Sequence, residues 1–170
     1  MAKITESELL LISKAPQEKL KHFSDGAKIA QRARTTIQKL QLRTANDRLR
    51  LARLQLKHAI IAYKAEKDQS RTVVSRAYYA MYHAARAVTY VSFGGDDHEQ
   101  HSVLPTKLPH DLPNADIWKN KLKNARLERN RADYDPYPAG DAAFGTVAAD
   151  LIDQAKELIK VAQIYLRSKS

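Results

Sequence analysis

The sequence predicts an all-α fold: an up-and-down bundle of four or five helices preceded by a helical extension. Three observations predict it. Apolar residues recur three and four apart over long windows, whereas no stretch alternates convincingly with period two. The central window, residues 70–93, contains neither Gly nor Pro. The whole chain holds only 5 Gly and 6 Pro, too few for a β protein rich in turns. Its 170 residues suit one domain with an appendage, and 44% hydrophobic content excludes broad disorder. The pattern divides the chain into an extension over 1–42 and a bundle over 43–168.

Taken in order, Thr5-Glu-Ser-Glu8 fits a capping box, which starts a short helix near Glu6. Pro16 opens a second piece, with Ser13 as a candidate cap and Leu20 and Phe23 on its apolar side. Ser24-Asp25-Gly26 reads as a break. The helical period resumes at Lys28 with Ile29, Ala33, Ile37 and Leu40, then continues as Leu49, Ala52, Leu56, Ala59 or Ile60, and Tyr63. Thr44 or Asn46 could cap a separate helix there, so one long helix and two shorter ones both fit. The central helix runs from Asp68-Gln69-Ser70 to the stop Gly94-Gly95. Pro105, Pro109 and Pro113 leave room only for turns or a short helix. Asn114 caps the next helix, with Ile117 or Trp118, Leu122 and Ala125 inward, and this helix must end before Pro136. A last helix begins near Asp141 or Thr146 and buries Val147, Leu151, Ala155, Leu158, Ala162 and Tyr165.

Composition narrows the chemistry. Cysteine is absent, which excludes disulfides, thiolate metal sites and cysteine nucleophiles. No apolar run reaches the length of a membrane span, and the N-terminus lacks a secretion-signal layout, so the expected location is the cytoplasm. The net charge is +10 and unevenly placed: residues 1–70 hold 15 Lys/Arg against 7 Asp/Glu, and residues 28–57 hold nine basic residues against one acid, Asp47. A basic stripe points to an anionic partner such as RNA or a nucleotide, while a solvated helical face is the plainer reading. Arg43, Arg48, Arg50, Arg53 and Lys57 spread around the helix rather than forming one narrow row. Asp96, Asp97, His98, Glu99 and His101 have metal-ligand chemistry but no familiar ligand spacing, so no metal site and no cofactor is assigned.

The central helix has two characters. Ala77, Ala80, Met81, Ala84, Ala87 or Val88, and Val91 make a small-residue stripe that lets a neighbour approach closely. Ser75, Tyr79, Tyr82, His83 and Arg86 make a polar and aromatic stripe whose atoms need partners once buried. Arg126-Leu-Glu-Arg-Asn-Arg-Ala-Asp-Tyr134 has matching chemistry, and the two segments are expected to face each other across a shared site.

Ser75-Arg-Ala-Tyr-Tyr-Ala-Met-Tyr-His-Ala-Ala-Arg-Ala-Val88 resembles the second helix of HEPN domains. Arg129-Asn-Arg-Ala-Asp-Tyr134 is similar to the family's later Arg-x-x-Ala-Asp-Tyr segment, and His101-Ser102 matches a His-Ser pair often found between them. The resemblance covers roughly residues 45–167. It implies a helical bundle that commonly forms a homodimer. Many members are metal-independent ribonucleases of toxin–antitoxin, anti-phage or CRISPR-linked systems; others are non-catalytic. Several pair with a small nucleotidyltransferase antitoxin that in some cases adds AMP to a tyrosine, which by analogy points to Tyr134 or Tyr137. The ribonuclease signature is Arg, four to six residues, then His. No histidine stands at that distance after Arg126, Arg129 or Arg131.

Three readings follow. The first is a regulatory module that binds RNA, a nucleotide or a partner without catalysis. The second is an endoribonuclease in which Arg129 stabilises the phosphorane, Asp133 acts as base, and His83 or Tyr134 assists, although a tyrosine near pKa 10 exchanges protons poorly. The third is a purely structural oligomerisation module. Candidate ligand contacts are Arg126, Asn130, Arg131, Tyr79, Arg86, Arg50 and Arg53. Beside these stand simpler roles: an Arg129–Asp133 ion pair that fixes the bundle, a satisfied core His83, and tyrosines that are core with a bonded tip.

Overall fold

The architecture follows from how each helix is started and stopped. The computed structural model describes residues 4–65 and 67–169, and among them it contains helices and turns but no strand. The helices are α1 Glu6–Ser13, α2 Gln17–Arg32, α3 Ile37–Tyr63, α4 Ser70–Ser92, α5 Ala115–Tyr134 and α6 Gly145–Arg167. Short 3₁₀ turns at Leu104–Lys107 and Asp141–Phe144 lead toward α5 and into α6. The chain forms two compact units, one ending at Leu40 and one beginning at Gln41.

In the first unit, Thr5 and Glu8 close the expected capping box: the Thr5 hydroxyl accepts from Glu8 N at 3.3 Å and Glu8 Oε2 accepts from Thr5 N at 2.7 Å. The Ser24-Asp25-Gly26 break does not occur, because α2 runs through it. One glycine costs a helix about 1 kcal/mol and does not stop it without a left-handed turn. That turn comes later, at Arg34, whose φ is 47°. Thr35 N then reaches back to Ala30 O at 3.0 Å, and Thr36 caps α3 by accepting from Lys39 N at 3.2 Å. No side chain of α1 or α2 is fully buried.

In the second unit α3 is one helix through Thr44 and Asn46. The Asn46 amide bonds back to Leu42 O at 2.9 Å, one turn earlier, so it supports the helix instead of capping a new one. Asp68 starts α4 by accepting from Ser70 N and Oγ at 2.9 and 2.7 Å. The stop uses Gly94 and Gly95, at φ 65° and 122°, with Gly95 N bonded to Tyr90 O at 2.8 Å. Asn114 stands before α5 in a left-handed conformation, φ 59°, and caps it without a side-chain bond.

The core is centred on α4, where Ala77, Ala80, Met81, Ala84, Ala85, Ala87 and Val88 are completely buried. α5 and α6 both pack on it. α3 contributes Ala45, Leu49, Ala52 and Ala59 to the same core. Arg71, at the start of α4, clamps the α5–α6 connection. Its guanidinium donates to the carbonyls of Ala132 at 2.7 Å, Asp135 at 2.9 Å, and Pro138, and lies over the Phe144 ring at 4.5 Å. This closes the exposed end of α5 and fixes the register of its last turns against α4. No described helix is long and apolar enough to cross a membrane.

Close packing through alanines makes the core intolerant of added volume. Ala84→Leu is expected to lower stability by about 1–3 kcal/mol, read as a lower urea midpoint at unchanged slope.

Candidate functional site

The side of α4 away from its alanines carries Tyr78, Tyr79, Tyr82, His83 and Arg86, three and four apart on neighbouring rows. α5 lays Arg129 and Asp133 against it. Arg129 Nη2 donates to the Tyr79 hydroxyl at 2.7 Å, and Arg129 Nε lies 2.7 Å from Asp133 Oδ2. That Nε makes no aligned hydrogen bond, so the Asp133 contact is an ion pair held by charge rather than direction. The guanidinium also lies over the rings of Tyr79 and Tyr134, at 5.3 and 5.1 Å, and bonds Asn130 Oδ1 at 3.1 Å. Ser75 Oγ reaches Asp133 Oδ2 at 3.4 Å.

The loop after Gly95 supplies the third wall. Asp97 is nearly buried and accepts from Arg86 Nε and Nη2 at 2.9 and 2.6 Å and from Arg48 Nε at 2.9 Å. Two guanidiniums thus converge on one carboxylate, joining α3, α4 and the loop. The Tyr82 hydroxyl donates to Glu99 O. His101 stacks on Tyr82 at 4.2 Å, meets Tyr79 edge-on at 6.0 Å, and holds its Nδ1 2.6 Å from the Tyr78 hydroxyl. His83 stacks on Tyr79 at 6.4 Å.

Burial and the surrounding arginines lower both imidazoles. Burial, then Arg86, Arg48 and His101, push His83 down from 6.5 to about 4. Burial, then Arg129, Arg126 and Arg86, lower His101. Burial raises the Tyr78 phenol, so it stays protonated. Burial works against the Asp97 charge, but its hydrogen bonds from Arg86 and Arg48 outweigh that and hold its carboxyl below the usual range. The result is a packed layer of tyrosine and imidazole rings with arginines around it. Such a surface offers charge for a phosphate and stacking for a base.

Of the residues expected from the sequence, Tyr79, His83, Arg86, Arg129, Asn130 and Asp133 come together, and Arg126 is close enough to act on His101 and Tyr78. Tyr134 touches Arg129 but is 69% exposed. Three expected contacts lie elsewhere. Arg131 packs over Phe144 at 5.3 Å and pairs with Glu128 at 3.7 Å. Arg50 pairs with its own neighbour Asp47 on an exposed face, and Arg53 bonds Gln163 of α6 at 2.9 Å. Helical spacing decides this: positions 50 and 53 point away from the side of α3 that carries Arg48 inward. Arg48, Asp97 and His101 were not expected in the site. The His101-Ser102 pair was the one signal that could have led to His101. Arg48 and Asp97 meet across 49 residues, with no local pattern to announce it.

Comparison with known proteins adds one match. A family model described as HEPN domain matches residues 45–166. No curated protein and no solved structure matches the chain.

Two predictions test the geometry. Asp97→Asn leaves Arg48 and Arg86 half-buried without their shared charge and is expected to cost about 1–3 kcal/mol in chemical denaturation. For pH, the unfolded chain protonates His83 near 6.5, whereas the folded chain resists until about 4. The stability present above pH 6.5 is therefore lost progressively as pH falls through that window. His83→Gln should flatten this part of the curve of urea midpoint against pH. The lowered His101 acts in the same direction and leaves a residual slope.

Proposed function

Since the chain belongs to the HEPN domain family, we propose that it is a member that binds RNA or a nucleotide at the α4–α5 face without cutting it, within a prokaryotic toxin–antitoxin or defence-type system. HEPN domains are typically ribonucleases of such systems, and that activity needs a group that exchanges protons near neutrality. One observation carries the non-catalytic reading: both histidines near the leading arginine are lowered by burial and by the arginines around them, and Arg129 is already engaged by Asp133 and Tyr79. Pushed down to about 4, His83 does not supply a proton to a leaving oxygen at pH 7. It does remain a hydrogen-bond partner and a stacking face. Arg126 stands next to this wall and is in no ion pair among the described residues, so it is the side chain best placed to meet a phosphate. The pairing habits of the family support a homodimer and a small nucleotidyltransferase as cytoplasmic partners.

A second reading, metal-independent cleavage, draws on the same site. A neutral imidazole is a competent base, and His101 lies beside the tyrosine that Arg129 bonds. In that case Arg129 would stabilise the phosphorane while Asp133 fixes it.

The two separate cleanly. Binding of a labelled single-stranded RNA, followed by fluorescence anisotropy, is expected to be saturable and to weaken steeply with salt. Arg126→Ala should lower affinity and reduce the log–log salt slope by about 0.7, the single-strand value for one phosphate contact. The same RNA should emerge uncut after prolonged incubation with excess protein, with or without divalent ions. Multiple-turnover cleavage that vanishes in Arg129→Ala would replace the first reading by the second.

A further inference from the structure

α3 carries an outward face that the site above does not use. Leu51, Leu54 and Ile61 are 38, 46 and 58% exposed. With the exposed His58 they stand at alternating intervals of three and four, the a and d spacing of a heptad, which draws one seam along a helix. The inward seam of α3 is a different set, Ala45, Leu49, Ala52, Ala59 and Ala62. The outer leucines and isoleucine are thus not an overflow of the core. Where Ile61 ends the seam, a groove of about 440 Å³ opens between α3 and α4, with Gln55, His58, Ile61, Thr72 and Arg76 on its walls.

Beside the seam runs a row of cations. Arg43, Arg50, Lys57 and Lys64 follow one another at intervals of seven, and all four are exposed. Seven residues fall about 20° short of two full turns, so the row keeps to one edge of the seam. In heptad terms every g position is basic. Arg50 pairs with Asp47, the one acid of α3, and among the described residues Arg43, Lys57 and Lys64 enter no ion pair.

We propose that this face docks an amphipathic helix of a different protein, one with apolar residues at its a and d positions and glutamate or aspartate along the flank that meets the basic row. Charge complementarity selects this occupant. A second copy laid antiparallel would set the four cations against the same four. Laid parallel, it would face them with positions 48, 55 and 62, which are Arg48, Gln55 and Ala62 and offer no carboxylate. A nucleic-acid backbone would satisfy the cations and leave Leu51, Leu54 and Ile61 wet. An acidic helix uses both the seam and the row.

The test uses the full chain and two fluorescein-labelled peptides of about four heptads, long enough to be helical on binding. Both carry Leu at a and d; one carries Glu at e and g, the other Lys, and like charges keep each from pairing with itself. The Glu peptide is expected to give a saturable rise in anisotropy and the Lys peptide none. Leu54→Ser with Ile61→Ser should weaken binding about tenfold or more, since two apolar contacts are lost. Arg50→Glu with Lys57→Glu should exchange the preference, so that the Lys peptide binds, a gain that misfolding cannot produce. Arg53→Glu, a cation tied to Gln163 away from the seam, should change little. Failure of the Glu peptide to bind would overturn the proposal. So would binding that ignores Leu54→Ser with Ile61→Ser, which would reduce the face to a charged patch open to RNA. Sedimentation showing a dimer that the same pair of changes dissolves would assign the face to a second copy instead.

Discussion

The structure depends on one constraint: α4 is buried on nearly every side. Its alanines, Ala77, Ala80, Ala84, Ala85 and Ala87, are fully inaccessible and let neighbouring helices come close. Close approach on one side presses the opposite side, with its tyrosines, histidine and arginine, into the protein as well. Buried polar atoms must then be satisfied. The tyrosines and Arg86 find partners outside α4: Tyr78 in His101, Tyr82 in the Glu99 carbonyl and Arg86 in Asp97, all in one loop, and Tyr79 in Arg129 of α5. The candidate site is in this sense a consequence of packing. The bonds that settle the α4 side chains are also the bonds that draw α5 and the 96–101 loop into place.

Three carboxylates offset the positive charge there, Glu99 lying 3.6 Å from Arg86. Asp97 takes up Arg48 and Arg86, and Asp133 takes up Arg129. Arg126 has no such partner among the described residues. Burial first, and then the arginines around them, lower the imidazoles of His83 and His101.

Helices were legible because their signals are redundant. The α4 boundaries came from a polar start and a double glycine, and the Thr5 box from two residues in fixed register. The misplaced break at Ser24-Asp25-Gly26 and the second start that Asn46 left open share a cause. Ser24-Asp25-Gly26 and Asn46 permit a turn without requiring one, and in a helix with a continuing apolar period they are absorbed. Arg34 does turn the chain, and nothing about an arginine announces a positive φ. At the site, Tyr79, His83, Arg129 and Asp133 were readable because helical spacing puts them on faces that match. Arg48, Asp97 and His101 were not, since their partners lie across loops with no periodicity to follow.

The basic character of α3 shows most plainly what exposure adds to sequence. Read along the chain, its cations encircle the helix and suggest diffuse electrostatics. Folded, those from Arg43 onward, with Lys64 just past the helix end, separate into three uses. Arg48 turns inward to Asp97 and stacks on Tyr90 at 4.2 Å. Arg53 ties α3 to α6 through Gln163. Arg43, Arg50, Lys57 and Lys64 stay outside on a seven-residue interval. Over three heptads such a row drifts about 60° around an ideal helix, which is less than the width of the exposed arc, so it remains a row. The positive charge of this region is therefore not one surface. Part of it is spent on building the site, and the part left outside has a direction, a spacing and an apolar neighbour that diffuse charge does not have.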